Sequence, residues 1–291
     1  MPAETLASLL GWGRGRLIQA RIETAQLDAR LLLQHATDSD HATLIGRPDT
    51  VVADAAAARY RDMIMRRTRH EPVSRIIGRR EFYGRDFALS PATLDPRPDT
   101  ETLVAAALDA LRQHPAPHIL DLGTGTGAIA ITLLAELPGA RAMATDVSLE
   151  ALETAAGNAR KHCVVDRMEF VQSFWFDAVT GCFDLIISNP PYLSAGDIES
   201  LDPEVKDWDP RRALEGGPDG LDCYRAIAKG APHHLLPAGL VVVEIGSGRG
   251  TQVAEIFAEY GFELGAAHRD LAGHVRCLVF RPRKNGGWKR P

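Results

Sequence analysis

The sequence predicts an α/β fold in which a doubly wound parallel sheet of seven strands follows a small N-terminal helical bundle, with a β-hairpin linking the two. Three observations support this prediction. Residues 118–188 alternate short apolar runs with helical segments, which is typical of parallel βαβ units. Residues 1–72 contain helix-rich segments whose apolar residues recur at spacings of three and four. Residues 73–98 hold two short β-prone runs around Gly84.

Domain boundaries follow from these changes of pattern. The expected parts are a helical domain at 1–72, a hairpin linker at 73–98, an α/β domain at 99–280 and a basic flexible tail at 281–291. Helices of the first domain are expected at 3–10, 24–36 and 54–69. The glycine- and arginine-rich stretch 11–16 is interpreted as a turn. Strands of the hairpin are expected at 76–83 and 85–89, and those of the sheet at 118–122, 141–146, 168–172, 183–188, 240–245, 262–266 and 275–280.

Composition and charge narrow the class of protein. Hydrophobic residues make up 45% and charged residues 24%, and no apolar run reaches the length of a membrane span. A net charge of -5 argues against binding nucleic acid mainly through phosphate neutralisation. The four cysteines show no CxxC pair, and the first residues do not resemble a signal peptide. We therefore expect a cytoplasmic protein with no metal site, no membrane contact and no stable nucleic-acid binding. A monomer is expected as well.

The segment before the sheet carries charged residues held by prolines. Two prolines keep the chain extended ahead of a helix that Asp99 or Thr100 can cap and that runs to about residue 113. Capping alone would explain the pattern. However, Arg97 and Glu101 are fixed by the same prolines, and rigid loops often line sites. We therefore predict that Arg97 and Glu101 bind substrate.

A glycine-rich loop at 123–127 follows the first strand of the sheet and opens a helix. Glycines let the backbone approach a ligand closely at the electropositive end of a helix. Asp146 ends the next strand, at about the distance where an acid receives ribose hydroxyls. The loop also fits the dinucleotide fingerprint, so by itself it does not separate NAD from S-adenosylmethionine. Asp121 would oppose a pyrophosphate but could accept from an ammonium group, which favours S-adenosylmethionine.

A second glycine loop, 246–250, also follows a strand and opens a helix, with Asp270 downstream. Too few strands remain after it to build the half-sheet that surrounds a nucleotide. We interpret it as a tight βα turn.

The motif Asn189, Pro190, Pro191, Tyr192 follows an apolar run that predicts a buried strand. Two prolines force the backbone to turn at the end where open α/β sheets bind ligands. Asn189 offers an amide oxygen, Pro190 a carbonyl of fixed direction and Tyr192 a flat ring. Together they could hold a planar NH2 group. The motif alone is equally compatible with a proline-stiffened turn.

The glycine loop, Asp146 and the motif at 189–192, with the flanks at 78–104 and 209–225, resemble the release-factor glutamine N5-methyltransferase family (PrmC/HemK-like) along nearly the whole chain. One departure is Asp95, where an apolar residue is expected. The resemblance implies a Rossmann-like S-adenosylmethionine methyltransferase domain that modifies the glutamine of the Gly-Gly-Gln loop of peptide-chain release factors, which the N-terminal helices would help to hold.

The predicted site residues combine the motifs with this resemblance. The loop 123–127 would cradle the methionine part of the cofactor, Asp146 would bind its ribose, and Trp175 would lie near the adenosine or else in the core. The predicted cofactor-binding residues are Asp121, Gly123, Thr124, Gly125, Thr126, Gly127, Asp146, Trp175 and Asn189. The predicted substrate-binding residues are Arg97, Glu101, Asn189, Pro190, Pro191 and Tyr192, of which Asn189, Pro190 and Tyr192 are predicted to be catalytic.

Other functions remain compatible with the same motifs. A methyltransferase acting on adenine N6 or guanine N2 of nucleic acid needs a similar hold on an exocyclic amine, although it also extrudes its base and holds the strand electrostatically. An NAD-dependent oxidoreductase and a non-catalytic scaffold are alternatives from other classes. The intact motif together with Asp146 argues against the scaffold.

Overall fold

The computed structural model describes residues 4–283, which fall into two units. One unit comprises the chain up to Arg79 together with Asp202–Trp208, and the other comprises Arg80–Leu201 and the chain from Asp209. Most of the predicted basic tail, 284–291, lies outside the described residues. Arg281 and Pro282 are the end of a strand, which corrects the predicted start of that tail. No helix within 4–283 has the length and apolarity needed to cross a membrane.

Helices and strands are numbered in chain order. The helices are α1 Leu6–Gln19, α2 Ala25–Thr37, α3 His41–Gly46, α4 Asp54–Arg67, α5 Val73–Ile77, α6 Glu101–Leu111, α7 Ala128–Glu136, α8 Leu149–Lys161, α9 Ala195–Glu199, α10 Pro203–Lys206, α11 Asp222–His234 and α12 Gly250–Glu259. The strands are β1 Arg79–Phe82, β2 Arg85–Ala88, β3 His118–Leu122, β4 Arg141–Asp146, β5 Met168–Gln172, β6 Phe183–Ser188, β7 Leu235–Glu244, β8 Phe262–Arg269 and β9 Val275–Pro282.

In the helical unit, the turn predicted at residues 11–16 is wrong, because these residues are part of α1. Gly13 is buried, and a Cβ built on it would lie 2.0 Å from the Tyr60 hydroxyl oxygen. Tyr60 is itself buried on α4, and its hydroxyl donates to the Ala29 carbonyl oxygen of α2 at 3.2 Å. The glycine at position 13 therefore permits close packing of two helices and does not mark a chain reversal.

A buried ion pair extends this unit to a segment distant in sequence. The Arg67 Nε donates to Asp28 Oδ2 at 2.7 Å, and both side chains are almost fully buried. A second guanidinium nitrogen of Arg67 donates to the Glu204 carboxylate, which lies in the returning segment Asp202–Trp208. Because a buried guanidinium needs more than one acceptor, this segment completes the polar interior of the helical unit.

The hairpin starts later than the sequence predicts. Residues 76–77 end the short helix α5, since Gly78 adopts a left-handed conformation (φ 78°) that terminates it. The side chains of Phe82 and Phe87 are buried and meet edge to face with ring centroids 6.1 Å apart. They belong to the same apolar core as α6 and α7.

The seven-stranded sheet confirms the predicted α/β fold but is mixed, which corrects the prediction of an entirely parallel sheet. Its order is β5-β4-β3-β6-β7-β9-β8, with β9 antiparallel to both of its neighbours and the remaining neighbours parallel. Strand β3 lies between β4 and β6, so the strand order reverses direction beside the glycine loop. That switch point is where open α/β sheets bind ligands.

Gly127 allows a stability test of the turn into α7. Its φ is 80°, and an added Cβ would lie 2.8 Å from Cδ1 of the fully buried Ile131. We expect Gly127→Ala to lower the free energy of unfolding by about 2–4 kcal/mol through backbone strain and overpacking. Gly157→Ala is the matched control, because its Cβ would meet nothing closer than Arg160 at 3.9 Å inside α8. Urea unfolding should show no loss, or a gain of about 0.5–1 kcal/mol, for the control. Equal losses for both variants would contradict the assignment.

Candidate active site

A cavity of about 460 Å³ opens at the carboxyl ends of the parallel strands, within the range typical of small-molecule sites. The loops after four neighbouring strands contribute to its wall. They bring together residues that are far apart in sequence: Thr124 after β3, Asp146 after β4, Trp175 after β5, and Asn189 and Pro191 after β6.

The glycine loop forms a cradle of bare backbone at this cavity. The N–H groups of Gly123 and Thr124 donate to the Thr145 carbonyl oxygen at 2.9 and 2.8 Å, which ties the loop to β4. Gly123 and Gly125 have positive φ values of 72° and 55°, and both line the cavity. A Cβ added to either would meet no atom of the described residues within 4 Å. The loop backbone therefore faces open space that a ligand can fill.

Asp146 both holds this cradle together and lines the cavity. Its Oδ2 accepts the Gly125 N–H at 3.0 Å, and its Oδ1 accepts the Ser148 N–H at 2.9 Å. Each carboxylate oxygen can accept more than one hydrogen bond. Because Asp146 also lines the cavity, it can accept ligand hydroxyls while holding the loop.

Asp121 lies beneath the loop, fully buried, and is not part of the cavity wall. The Thr124 hydroxyl donates to its Oδ2 at 2.7 Å, whereas its Oδ1 has no hydrogen-bond partner among residues 4–283. Burial raises the pKa of Asp121 to about 7, and hydrogen bonds from the Thr124 side chain and the Ala130 amide oppose that rise. The structure thus shows Asp121 supporting Thr124, and its contact with the cofactor stays a prediction.

The sequence placed Trp175 either near the adenosine or in the core, and its position in the structure is compatible with both. It packs against the apolar core and also lines the cavity. Its φ of 50° is unusual for a large side chain, and the Ser173 hydroxyl stabilises this conformation by donating to the Trp175 carbonyl oxygen at 3.0 Å. Phe174, 64% exposed, and Val147, 47% exposed, also line the cavity and were not predicted from the sequence. Their positions next to Trp175 and Asp146 in the sequence could have indicated that they line the site.

The motif at 189–192 lies directly after β6. The Ser188 hydroxyl donates to the Leu122 carbonyl oxygen at 2.7 Å, which fixes the strand end against β3. Asn189 lines the cavity, and its Nδ2 donates to the Thr100 hydroxyl at 3.1 Å. Pro190 is buried, and Pro191 lines the cavity.

The Tyr192 side chain packs next to the second glycine loop. A Cβ added to Gly246 would lie 3.1 Å from the Tyr192 ring, so that loop is a packing surface for the motif. Burial raises the pKa of Tyr192 to about 12, with the nearby Glu244 carboxylate adding to the rise. The loop 246–250 itself does not contribute to the cavity wall.

Arg97 and Glu101, the two charged residues before the sheet, have different surroundings in the structure. Arg97 lines the cavity, and its guanidinium pairs with the buried Asp209 carboxylate at 2.6 Å. Glu101 accepts the Tyr83 backbone N–H at 2.9 Å and lies outside the cavity wall. The predicted capping of α6 by Asp99 or Thr100 is also wrong, because within the described residues the helix has no side-chain cap and the Thr100 hydroxyl donates elsewhere.

The segment after α10 contributes residues that were not predicted to form the site. Glu215, Gly216 and Gly217 line the cavity. The Leu193 N–H donates to the Leu214 carbonyl oxygen at 3.0 Å, and the Gly216 N–H donates to the Leu193 carbonyl oxygen at 2.8 Å. A Cβ on Gly216 would lie 2.6 Å from the Pro191 carbonyl oxygen. The paired glycines therefore let this segment pack on the backbone of the motif, and they were the signal in the sequence.

These residues fit S-adenosylmethionine. The Cβ-free backbone at Gly123 and Gly125 leaves room for the methionine part, and Asp146 presents acceptors suited to ribose hydroxyls. Phe174 and Trp175 supply apolar surface for a nucleobase. Together the doubly wound sheet, the glycine loop and the acid ending β4 are the features expected of a methyltransferase that uses S-adenosylmethionine.

Comparison with known proteins identifies the family of this chain. Residues 8–78 match the family model described as the PrmC N-terminal domain, and residues 98–201 match the methyltransferase small domain. The release factor glutamine methyltransferase of Agrobacterium fabrum is 44% identical over 95% of this chain and 97% of its own length. That of Cereibacter sphaeroides is 47% identical over 91% of this chain and 94% of its own. The chain belongs to the release factor glutamine methyltransferase family, which confirms the resemblance.

Solved structures support the fold. A methyltransferase from Pyrococcus furiosus superposes with a TM-score of 0.51 at 20% identity, over 68% of this chain and 89% of that one. At this identity the likeness shows a shared methyltransferase fold and no more.

Proposed function

We propose that this protein transfers the methyl group of S-adenosylmethionine to the side-chain amide nitrogen of a glutamine in peptide-chain release factors. The observation that carries the proposal is the near full-length similarity to release factor glutamine methyltransferases, which includes the helical region as well as the catalytic one. The family resemblance points to the glutamine of the Gly-Gly-Gln motif as the target.

In this proposal the cofactor site is built by the loops after β3, β4 and β5. Gly123 and Gly125 receive the methionine part, Asp146 accepts the ribose hydroxyls and Trp175 borders the adenosine. When bound, S-adenosylmethionine supplies a methyl group made electrophilic by its sulfonium. Asp121 acts indirectly, by holding the Thr124 side chain under the loop.

The substrate amide is held by acceptors of the motif. A carboxamide nitrogen is a poor nucleophile because its lone pair is delocalised into the carbonyl group. Asn189 Oδ1 and the Pro190 carbonyl oxygen each accept one N–H, which orients the nitrogen and stabilises positive charge that develops on it. Asn189 is suited to this role because its Nδ2 already donates to Thr100, so its oxygen is the atom left for a ligand. Tyr192 packs against Gly246 of the second glycine loop, and Arg97 lines the cavity.

The helical unit is proposed to contribute to holding the release factor, and the reaction is proposed to take place in the cytoplasm, where translation ends. The chain's net charge of -5 supports a protein substrate over an extended nucleic-acid strand. No feature of the described residues specifically favours a nucleobase substrate, so we do not propose the nucleic-acid alternative.

Labelled S-adenosylmethionine tests this proposal directly. The full-length protein is incubated with separate pools of release factor, DNA and ribosomal RNA, and mass spectrometry locates the label. We expect one methyl group on a release-factor glutamine and none in the nucleic-acid pools. Label in DNA or RNA with none in the release factor would overturn the proposal. Denatured release factor serves as the substrate control.

A further inference from the structure

We infer that Thr100 and Glu244 are positioning residues that fix the orientation of the Asn189 side-chain amide, so that its oxygen faces the substrate. The inference rests on the proposed role of Asn189 and deepens it. An asparagine amide can be rotated by 180° about its last bond with little change of shape, which exchanges an acceptor for a donor. Only one of these orientations can accept an N–H from a glutamine amide.

A chain of hydrogen bonds selects that orientation. The Thr100 hydroxyl donates to Glu244 Oε2 at 2.6 Å, and Asn189 Nδ2 donates to the Thr100 oxygen at 3.1 Å. A hydroxyl has one proton. Because Thr100 gives its proton to the Glu244 carboxylate, it presents only lone pairs to Asn189. The Asn189 NH2 group must therefore face Thr100, and its Oδ1 must face away from it.

Thr100 and Glu244 are buried, so breaking their hydrogen bond would cost free energy. Thr100 is 4% exposed and Glu244 is 1% exposed, so the hydrogen bond between them is shielded from water. The Glu244 backbone is anchored as well, because the Tyr224 hydroxyl donates to its carbonyl oxygen at 2.9 Å. A carboxylate buried to this degree lowers the stability of a fold, so its presence is more readily explained by a role at the site.

The ionisation state of Glu244 then determines which group donates in each hydrogen bond between Glu244, Thr100 and Asn189. A neutral Glu244 can donate its own proton to Thr100. The Thr100 proton is then released for Asn189 Oδ1, which would turn the amide around. Burial raises the pKa of Glu244 to about 7, while Thr100 and Arg276 oppose the rise. The productive orientation requires the ionised form, so it is present above that pKa and is lost as the pH falls below it.

Several other groups interact with Glu244 and affect its pKa. Those that interact with Glu244 from the elements around it are Asp99 before α6, Asn189 and Tyr192 after β6, Tyr224 on α11, and Arg276 and Cys277 on β9. Arg276 is itself shared with the carboxylates of Asp99 and Asp270, each at 3.1 Å. Asp121 also has a pKa raised to about 7, so the loss of activity in acid must be assigned by mutation.

Two substitutions at Thr100 provide the first test. Thr100→Val keeps the shape but removes the hydroxyl, and we expect kcat on release factor to fall about 10–100-fold with the cofactor Kd within about twofold. Thr100→Ser restores the hydroxyl and should return kcat to within about threefold of the wild type. Thr251→Val, at an exposed site on α12, is the matched control. Thermal unfolding of each variant establishes that the folded fraction is equal.

The pH profile of Glu244→Gln provides the second test. The wild type should lose kcat below about pH 7, whereas Glu244→Gln should show a lower kcat at pH 8, by about tenfold, and no acid limb in this range. Glu255→Gln, exposed on α12, should keep the wild-type profile. The inference is overturned if Thr100→Val retains wild-type kcat, or if Glu244→Gln keeps the same acid limb. Failure of the wild type to methylate release factor would instead overturn the proposed function.

Discussion

Replacing Asn189 by alanine is expected to lower kcat on release factor by about 10²–10³-fold, the loss found when one preorganised charge-stabilising group is removed from an active site. The cofactor Kd should stay within about threefold, because the glycine loop and Asp146 do not depend on the Asn189 side chain. Steady-state methylation and isothermal titration with S-adenosylmethionine measure the two quantities.

Ser200→Ala is the control for this experiment, since Ser200 is an exposed residue at the end of α9 on the same connection. It should retain both wild-type kcat and wild-type cofactor affinity. An Asn189→Ala enzyme that turns over at the wild-type rate would exclude the acceptor mechanism. A large loss of cofactor affinity in this variant would instead assign Asn189 mainly to the cofactor site.

Replacing Asp146 by alanine is expected to have the converse effect. The cofactor Kd should rise about 10–100-fold, because hydrogen bonds to a charged acceptor contribute about 1.5–3 kcal/mol. The same change removes the acceptor that fixes the Gly125 N–H, so the cradle itself loosens. At saturating cofactor, kcat should remain within about fivefold, since the motif after β6 is unchanged.

Asp166→Ala is the matched control, because it removes an exposed carboxylate on the same domain without touching the site. Its cofactor Kd should equal that of the wild type. If Asp146→Ala bound the cofactor normally and lost only turnover, the assignment of this acid to ribose would be wrong.

The sequence was sufficient to predict the elements whose signal is local. The strands β3, β4, β5 and β6 were predicted with the observed bounds. Strands β3, β4 and β6 are mostly buried, as expected of parallel strands inside a sheet, whereas β5 lies at the sheet edge and is only partly buried. The positions of the glycine loop and Asp146 were also predicted, since both follow directly from the ends of those strands.

Predictions failed where a residue's partner is distant in sequence. Gly13 resembles a turn residue until Tyr60 is seen to occupy the space of its missing side chain. Thr100 resembles a helix cap, yet its hydroxyl donates to Glu244, 144 residues away. The contact of Glu101 with the Tyr83 amide of the hairpin was likewise not foreseen, while its predicted role in binding substrate stays a prediction. Each of these roles depends on tertiary contacts that no local pattern encodes.

The ion pair between Arg67 and Glu204 has a consequence for the order of folding. These residues are separated by 137 positions, so the helical unit emerges from the ribosome long before its last segment is synthesised. Until Asp202–Trp208 arrives, Arg67 lacks one of its acceptors and the N-terminal helices remain incomplete. The two units therefore cannot mature strictly one after the other, and a nascent chain that stops before residue 202 should be more susceptible to proteolysis in its first eighty residues than the finished protein.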